Sequence, residues 1–94
     1  MEVLQKDHPD KGMFYIEKDG IIHAQMTYVW VGTTSFIIDH TEVDETLKGM
    51  GAGKQMVSKA VDFARSKAVT IIPLCPFAKS VFDKVPEFSD VLSK

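Results

Sequence analysis

Asparagine is absent from this chain of 94 residues, and cysteine, tryptophan and arginine each occur only once. A single cysteine excludes an intramolecular disulfide. Long hydrophobic runs are also missing from the sequence, and no window approaches the roughly 20 apolar residues that a membrane-spanning helix requires. Residues 1–6 have neither the basic start nor the apolar run of a signal peptide. We therefore expect a cytoplasmic protein that does not enter a membrane.

Positive charge is limited as well. Eleven Lys and Arg residues stand against 13 Asp and Glu residues, which gives a net charge of −2 and a pI near 5.8. The lysines are scattered, whereas a nucleic-acid surface normally shows a basic stripe, so we expect no nucleic-acid partner. His8, His23 and His40 lack the paired spacing of metal ligands, and we expect no metal site.

The chain is rich in hydrophobic residues, which make up 45% of its 94 positions. A chain of this length buries roughly 60 to 65% of its unfolded surface when it folds, which is enough for one modest core. The sequence shows no repeat and no linker-like stretch. We expect a single domain over residues 1–94.

Strand signals come first along the chain. Two strand-like runs, at residues 14–18 and 21–31, flank Asp19-Gly20, a dipeptide typical of a type I′ hairpin turn. Apolar and polar residues alternate in the second run, which predicts a half-buried strand with Tyr28 and Trp30 facing the core. These two runs should pair antiparallel.

A third strand is predicted at residues 34–40, after a turn at Gly32-Thr33. Regular alternation would place Phe36, Ile38 and His40 on one face of it. Residues 1–6 are a candidate fourth strand.

Helical spacing appears in the second half of the chain. Apolar residues recur every three or four positions over residues 52–67, which predicts an amphipathic helix. Residues 69–74 resemble a buried strand, which a crossover helix would make parallel to the third strand. Residues 78–84 are predicted to form a short helix, and a terminal segment with Phe88, Val91 and Leu92 should pack on the core. The order predicts an α+β fold with a mixed, mostly antiparallel sheet.

Three glycines, Gly49, Gly51 and Gly53, occupy alternate positions between the third strand and the long helix. Glycines bring bare backbone N–H groups close to a ligand, and a helix N-terminus adds unpaired donors and a partial positive charge, so the loop is suited to a phosphate group. A P-loop is excluded because Gln55 follows Lys54 and lacks the hydroxyl that binds magnesium. A dinucleotide-binding turn is excluded because Met56 occupies its third small position.

The remaining pattern, Lys48-x-x-Gly51-x-Gly53, resembles the pyrophosphate loop of the GNAT superfamily of acyl-CoA-dependent N-acyltransferases. Residues 38–43 and 72–77 extend the resemblance, which covers roughly residues 12–92 and points to a small single-domain subgroup. It implies a minimal GNAT-like fold with a β-loop-α-β core that binds acetyl-CoA in a wedge between two parallel strands. The residues it implies for binding the cofactor are Thr41, Val43, Lys48, Gly49, Met50, Gly51, Ala52, Gly53, Lys54, Cys75 and Phe77.

The implied chemistry is attack of an amine on a thioester, which requires the amine to lose a proton. That loss costs roughly 4 to 5 kcal/mol for a lysine-like amine at pH 7, so a base is useful. His40 and Glu42 are the candidates, against the alternative that His40 is a hydrogen-bonded structural residue. In two respects the chain departs from the superfamily: Lys48 replaces the usual Gln or Arg, and no tyrosine follows Cys75 to protonate the leaving thiolate.

Cys75 admits three interpretations. Buried cysteine is often a small hydrophobic residue. At the end of a strand and before a helix it could instead accept the acyl group, since a helix N-terminus favours the thiolate, or pack beside the thioester without reacting.

The hypothesis is an N-acetyltransferase that moves the acetyl group of acetyl-CoA to a small amine or an exposed protein amine, by direct attack or through Cys75. The chain would act as a monomer or a homodimer. The alternatives are a non-catalytic acyl-CoA-binding or regulatory module and a cysteine-dependent hydrolase that uses Cys75 with His40.

Overall fold

Five strands form one mixed sheet in the computed structural model, which describes residues 1–93. Their spatial order follows the chain, β1-β2-β3-β4-β5, with the first four antiparallel and β5 parallel to β4. The strands are β1 Leu4–Asp7, β2 Lys11–Lys18, β3 Ile21–Val31, β4 Ser35–Val43 and β5 Thr70–Pro73. The predicted α+β class is confirmed, and the candidate strand at the N-terminus is β1.

The β2–β3 hairpin turns at Asp19 and Gly20, as the sequence predicts. Both residues have positive φ, 54° and 79°, which is the conformation of a type I′ turn. Along β3, Ala24, Met26 and Tyr28 are buried, so the predicted core face is confirmed. Trp30 at the end of that face is only partly buried.

Two α-helices follow β4 in the chain, one before β5 and one after it. The first, α1 Ala52–Lys67, has the predicted bounds, and its buried residues pack into one core with those of the strands. The second, α2 Pro76–Lys84, begins two residues before the predicted start at Ala78. The prediction did not use Pro76 as a start signal, although proline suits the first position of a helix, where no N–H partner is needed.

The terminal segment packs beside α1 and β5. A 3₁₀ helix, Pro86–Val91, places Val91 in the core, and Leu92 then forms a bridge to Ile71 of β5. Arg65 of α1 holds the same segment through a two-point ion pair with Asp90, at 2.8 and 3.0 Å. The predicted packing of this segment is confirmed.

Tyr28, a core residue, forms hydrogen bonds with two side chains of β1. Its ring is 1% exposed, and its hydroxyl donates to Asp7 of β1 at 2.6 Å while it accepts from Gln5 at 2.9 Å. Burial, and then the Asp7 carboxylate, raise the pKa of Tyr28. Gly12 of β2 leaves room for the hydroxyl, because a Cβ atom there would overlap it.

Both helices contribute buried residues to the same core as Phe14, Met26 and Ile38, so they pack on one face of the sheet. We call the opposite face the open face; its side chains include Met13, Thr27 and Val29, which alternate with the buried ones. No helix within residues 1–93 combines the length and the apolar character needed to cross a membrane.

Candidate functional site

A β-bulge interrupts the pairing of β3 with β4. Tyr28 pairs with Ile38, whereas the preceding residue of β3, Thr27, pairs with His40. Asp39 is therefore an extra residue in β4, and its carboxylate accepts a hydrogen bond from the Thr27 hydroxyl at 2.6 Å. An extra residue reverses the alternation of the strand beyond it.

The prediction that His40 shares a face with Phe36 and Ile38 is therefore wrong. Phe36 and Ile38 are fully buried, but His40 is exposed and lies on the open face beside Thr27. Glu42, two residues further along, is on the same face and is also exposed. The two predicted base candidates thus share a surface, although it is not the surface that regular alternation would give.

The reversal turns Thr41 and Val43 toward the helices, opposite the buried Met26 and Ala24 of β3. Beyond the bulge, β4 also loses its other neighbour. The parallel pairing with β5 ends at Ile38 and Pro73, after which the Ile38 carbonyl accepts from the amides of Leu74 and Cys75 at 3.1 and 3.0 Å. We call this point, where β4 and β5 part, the fork.

Cys75 lies at the fork, on the helix side. Its side chain is 6% exposed, and its thiol donates to the Thr41 hydroxyl at 3.3 Å. Cys75 is also the residue that precedes α2, so its sulfur is close to a helix N-terminus. His40 faces the other side of the sheet, and this separation argues against the nucleophile–base pair that a Cys75–His40 hydrolase would need.

The glycine loop begins after a short 3₁₀ helix, Glu45–Leu47, which Asp44 caps by accepting from the Thr46 amide at 2.9 Å. Gly49 and Gly51 then adopt φ values of 78° and 74°, a region that other residues enter at a cost.

Unpaired amides are available where the loop becomes α1. The first helical hydrogen bond runs from Gln55 N to Gly51 O, so the amides of Ala52, Gly53 and Lys54 have no partner within the helix. Gly51 supplies no side-chain cap. With the positive end of the helix dipole, these donors favour an anion at this position.

The loop amides line a cavity of about 520 Å³ that reaches the edge of β4. All of the predicted cofactor residues line it except Met50 and Cys75; they are Thr41, Val43, Lys48, Gly49, Gly51, Ala52, Gly53, Lys54 and Phe77. The Met50 amide instead bonds the Leu47 carbonyl at 3.2 Å. The structure thus brings together residues that are up to 36 positions apart in the chain.

Four lining residues were missed by sequence reasoning: Leu47 of the 3₁₀ helix, and a group on α2 made up of Ser80, Val81 and Lys84. The missed α2 residues share one signal. With Phe77 they lie at helical spacing on one side of α2, a signal that the late predicted start of this helix concealed. Phe77 reaches the helix α1 because Gly53 has no side chain: a Cβ atom there would overlap its ring.

A second polar pair lies on the open face near the loop. His23 Nδ1 and an Asp44 carboxylate oxygen are 2.6 Å apart, and this hydrogen bond is the main cause that lowers the pKa of Asp44. Because Asp44 also caps the 3₁₀ helix, the pair joins β3 to the start of the glycine loop. Lys48, by contrast, is 63% exposed and pairs with Glu45 at 3.0 Å.

Across residues 1–93, no group of three or more His, Cys, Asp or Glu side chains is placed to hold a metal ion. The polar residues at the fork are instead divided between the two faces of the sheet, with the thiol of Cys75 toward the helices and the carboxylate of Asp39 on the open face.

Comparison with known proteins shows which family this chain belongs to. The family model described as GCN5-related N-acetyl-transferase matches residues 13–91. A GCN5-like protein from Staphylococcus aureus, a candidate N-acetyltransferase with a solution structure, is 34% identical, with 98% of this chain and 87% of that chain covered and a TM-score of 0.74. A comparison with curated proteins found no match.

More distant structures share the fold alone. A ribosomal-protein-alanine N-acetyltransferase from Brucella melitensis biovar Abortus 2308 is 15% identical, with 83% of this chain and 62% of that chain covered and a TM-score of 0.65. Nourseothricin acetyltransferase is 23% identical, with 67% and 39% covered and a TM-score of 0.54. From the family match and the staphylococcal relative together, we conclude that this chain belongs to the GCN5-related N-acetyltransferases, a family of transferase enzymes.

Proposed function

We propose that the protein transfers an acetyl group from acetyl-CoA to an amine. The observation that carries the proposal is the row of unpaired amides at Ala52, Gly53 and Lys54, which opens on a cavity that continues toward the fork. Acetyl-CoA combines a pyrophosphate with a long arm that ends in a thioester. Family membership supports this donor over other phosphorylated ligands.

In this proposal the pyrophosphate binds the loop amides, with Lys48 and Lys54 as nearby positive charges. The arm of the donor then follows the free edge of β4 at Thr41 and Val43, where backbone groups have no partner in β5. The thioester would lie at the fork, close to Cys75.

In this proposal the acceptor amine loses its proton on the open face. A lysine-like amine must lose its proton at a cost of roughly 4 to 5 kcal/mol at pH 7, and an α-amine at roughly 1 to 1.5 kcal/mol. Glu42 and His40 are exposed on that face and are the groups we assign to take up this proton. Replacing Glu42 by Gln should then move the pH–rate profile, and an unmoved profile would discard its role.

Two routes lead from donor to product. In direct attack the amine nitrogen bonds to the thioester carbon, the C–S bond breaks and CoA leaves as a thiolate that takes up a proton. In the covalent route the Cys75 sulfur first receives the acetyl group and releases CoA, and the amine then displaces Cys75. The 3.3 Å contact between Cys75 and Thr41 places the thiol at the fork for either route.

The Cys75→Ala variant separates the routes. Covalent transfer predicts that the variant loses all turnover and that the wild-type protein, mixed with acetyl-CoA without an amine, gains one acetyl group on Cys75 by mass spectrometry. Direct attack predicts turnover close to that of the wild type. Cys75→Ser is the matched control for packing, because it keeps the size and the polar contact to Thr41.

One observation favours a non-catalytic acyl-CoA-binding module as the second candidate. The chain has two tyrosines, and both are buried in the sheet, with the Tyr28 hydroxyl bound to Asp7. Neither Tyr15 nor Tyr28 is placed to protonate a thiolate at the fork. This candidate predicts tight CoA binding without acetylation of any amine.

Calorimetric titration with acetyl-CoA and with CoA tests the shared premise. Saturable micromolar binding, followed by acetylation of at least one member of an amine panel, supports the transferase. Binding without turnover supports the module, and the lack of binding heat at several temperatures, with an unchanged melting temperature, refutes both.

A further inference from the structure

The open face carries a cavity that the donor site does not use. It has a volume of about 400 Å³ and extends from β4 across β3 and β2 to β1. Its lining includes Asp39 at the bulge, Met13 and Val29 in the middle, and Lys6 and Lys11 at the far side. We call it the open-face cavity.

One end of this cavity meets the fork. Asp39 directly follows Ile38, whose carbonyl oxygen accepts hydrogen bonds from Leu74 and Cys75. The Thr27 hydroxyl donates to one oxygen of the Asp39 carboxylate at 2.6 Å, which fixes its direction and leaves the second oxygen for a ligand. A carboxylate held in this way, on the side where a nucleophile must approach, suits a substituted ammonium group.

The opposite end is positive and the middle is apolar. Lys11 lies on β2, two strands away from Asp39, which corresponds to about 10 Å between backbones, and Lys6 lies on β1, one strand further. Between the charged ends, Met13 and Val29 present aliphatic surface, and Val29 is 41% exposed. The Lys6 Nζ lies 5.3 Å from the centroid of the Tyr15 ring on β2. Both lysines have long, flexible stems, so a ligand carboxylate over the middle of the cavity is within their reach.

We propose that the acetyl acceptor is a small aliphatic amine with a carboxylate at its other end, that is, an amino acid whose reacting amine is remote from its carboxylate. The ammonium binds Asp39, the methylene chain lies over Met13 and Val29, and the carboxylate meets Lys6 and Lys11. The inference rests on the proposed function, because it assigns the acceptor of the same reaction.

The reaction then balances without a further reagent. The ammonium held by Asp39 loses one proton to a base on the open face, its nitrogen bonds to the acetyl carbon, and the C–S bond of the donor breaks. CoA leaves as a thiol after it takes up one proton.

The other open-face cavity suits an acceptor less well. It has a volume of about 260 Å³, and its Asp44 carboxylate is already bound to His23 and to the 3₁₀ helix. Its β4 residues, Glu42 and Val43, lie about 10 and 13 Å along the strand from Asp39 at the fork.

The binding test is an NMR titration of the CoA-loaded protein with 5-aminopentanoate. We expect saturable shifts of the backbone amides of Met13, Val29 and Asp39. The Lys6→Ala, Lys11→Ala double variant should weaken binding about tenfold, since each exposed charge contributes at most about fivefold. Lys18→Ala, which removes another exposed lysine of β2 outside the cavity, is the matched control and should bind like the wild type.

The activity test compares three acceptors of equal chain length: 5-aminopentanoate, pentylamine and 1,5-diaminopentane. We expect kcat/KM to fall in that order, because only the first has a negative end for the lysines. The double lysine variant should lower kcat/KM about tenfold for 5-aminopentanoate and leave it within about twofold for pentylamine. Asp39→Asn should raise KM for both amines while the affinity for acetyl-CoA stays unchanged.

The outcomes separate this inference from the proposed function. If acetyl-CoA binds and pentylamine or diaminopentane is the better acceptor, or if the lysine variants do not change selectivity, the acceptor assignment is overturned and the transferase stands. If acetyl-CoA does not bind at all, the proposed function fails, and the NMR titration without CoA still decides whether the open-face cavity binds the amino acid. Shifts confined to residues outside the cavity would overturn the inference.

Discussion

Replacing Gly51 by Val tests the glycine loop directly, because the structure separates its effect on the fold from its effect on the ligand. Gly51 has a φ of 74°, and a Cβ atom built there has no neighbouring atom within 4 Å. The variant therefore pays for a left-handed backbone, about 2 kcal/mol, without a steric clash in the free protein. Against a total of roughly 5–14 kcal/mol for a chain of this length, the fold should survive.

The affinity for acetyl-CoA should change more than the stability of the fold. The valine side chain would occupy the open space in front of the amides of Ala52 and Gly53, where we place the pyrophosphate. Hydrogen bonds to a charged group contribute about 1.5–3 kcal/mol each. Loss of two of them lowers affinity by a factor on the order of 100 or more.

Gly20→Val is the matched control. Gly20 has a φ of 79°, also has no atom within 4 Å of a built Cβ, and lies in the β2–β3 turn, outside the cavity that the glycine loop lines. Both variants should show a melting temperature lower by on the order of 10 °C. Only Gly51→Val should lose acetyl-CoA binding by calorimetry. Equal affinity of the two variants for acetyl-CoA would refute the assignment of the loop to the pyrophosphate.

Replacing Gly12 by Ala should lower the stability by about 1–3 kcal/mol, because the new Cβ overlaps the Tyr28 hydroxyl; thermal unfolding that matches the wild type would contradict this packing. Tyr28→Phe should cost about 1–2 kcal/mol in urea unfolding, because it removes the 2.6 Å hydrogen bond to Asp7, whose carboxylate remains exposed to water. The Asp44 carboxylate, whose pKa the His23 hydrogen bond lowers below its usual 3.8, stabilises the fold above that value, and this contribution is lost as the pH falls through the depressed pKa. The difference in melting temperature between wild type and Asp44→Asn should therefore be present above pH 3.8 and disappear in stronger acid; a difference that persists below the depressed pKa would contradict the assignment.

Sequence patterns predicted the structural elements that depend on residues close together in the chain, such as turns and helix ends. The Asp19-Gly20 turn was predicted because two consecutive positive φ angles require residues of this kind. The bounds of α1 were predicted from its apolar period alone, and the basic residues of its last turn, Arg65 and Lys67, favour the same C-terminal end. The fold class followed from the order of these elements.

The bulge in β4 could not be predicted in the same way. Residues 35–43 alternate apolar and polar side chains for only part of their length, and nothing in the sequence marks Asp39 as the extra residue. Its place is set by the pairing with β3, where Thr27 bonds the Asp39 side chain, and such pairing is a property of two strands together. The error over His40 follows from this one residue. The lining residues Ser80 and Lys84 were missed for a simpler reason: the predicted helix over residues 78–84 left out Phe77, so their helical spacing from this predicted cofactor residue was not seen.

The same inserted residue organises the site. Without Asp39 as an extra residue, Thr41 would face the open side and His40 the helices, and the Cys75 thiol would have a histidine rather than a hydroxyl beside it. With it, the donor pocket and the thiol lie on the helix side of the fork, whereas Glu42, His40 and Asp39 lie on the open side. In the reaction we propose, the acceptor would approach the thioester from the face opposite the donor and lose its proton there, so the two substrates would not compete for one pocket. This division of the faces is why we assign binding of the acceptor to the open-face cavity and binding of the donor to the glycine loop.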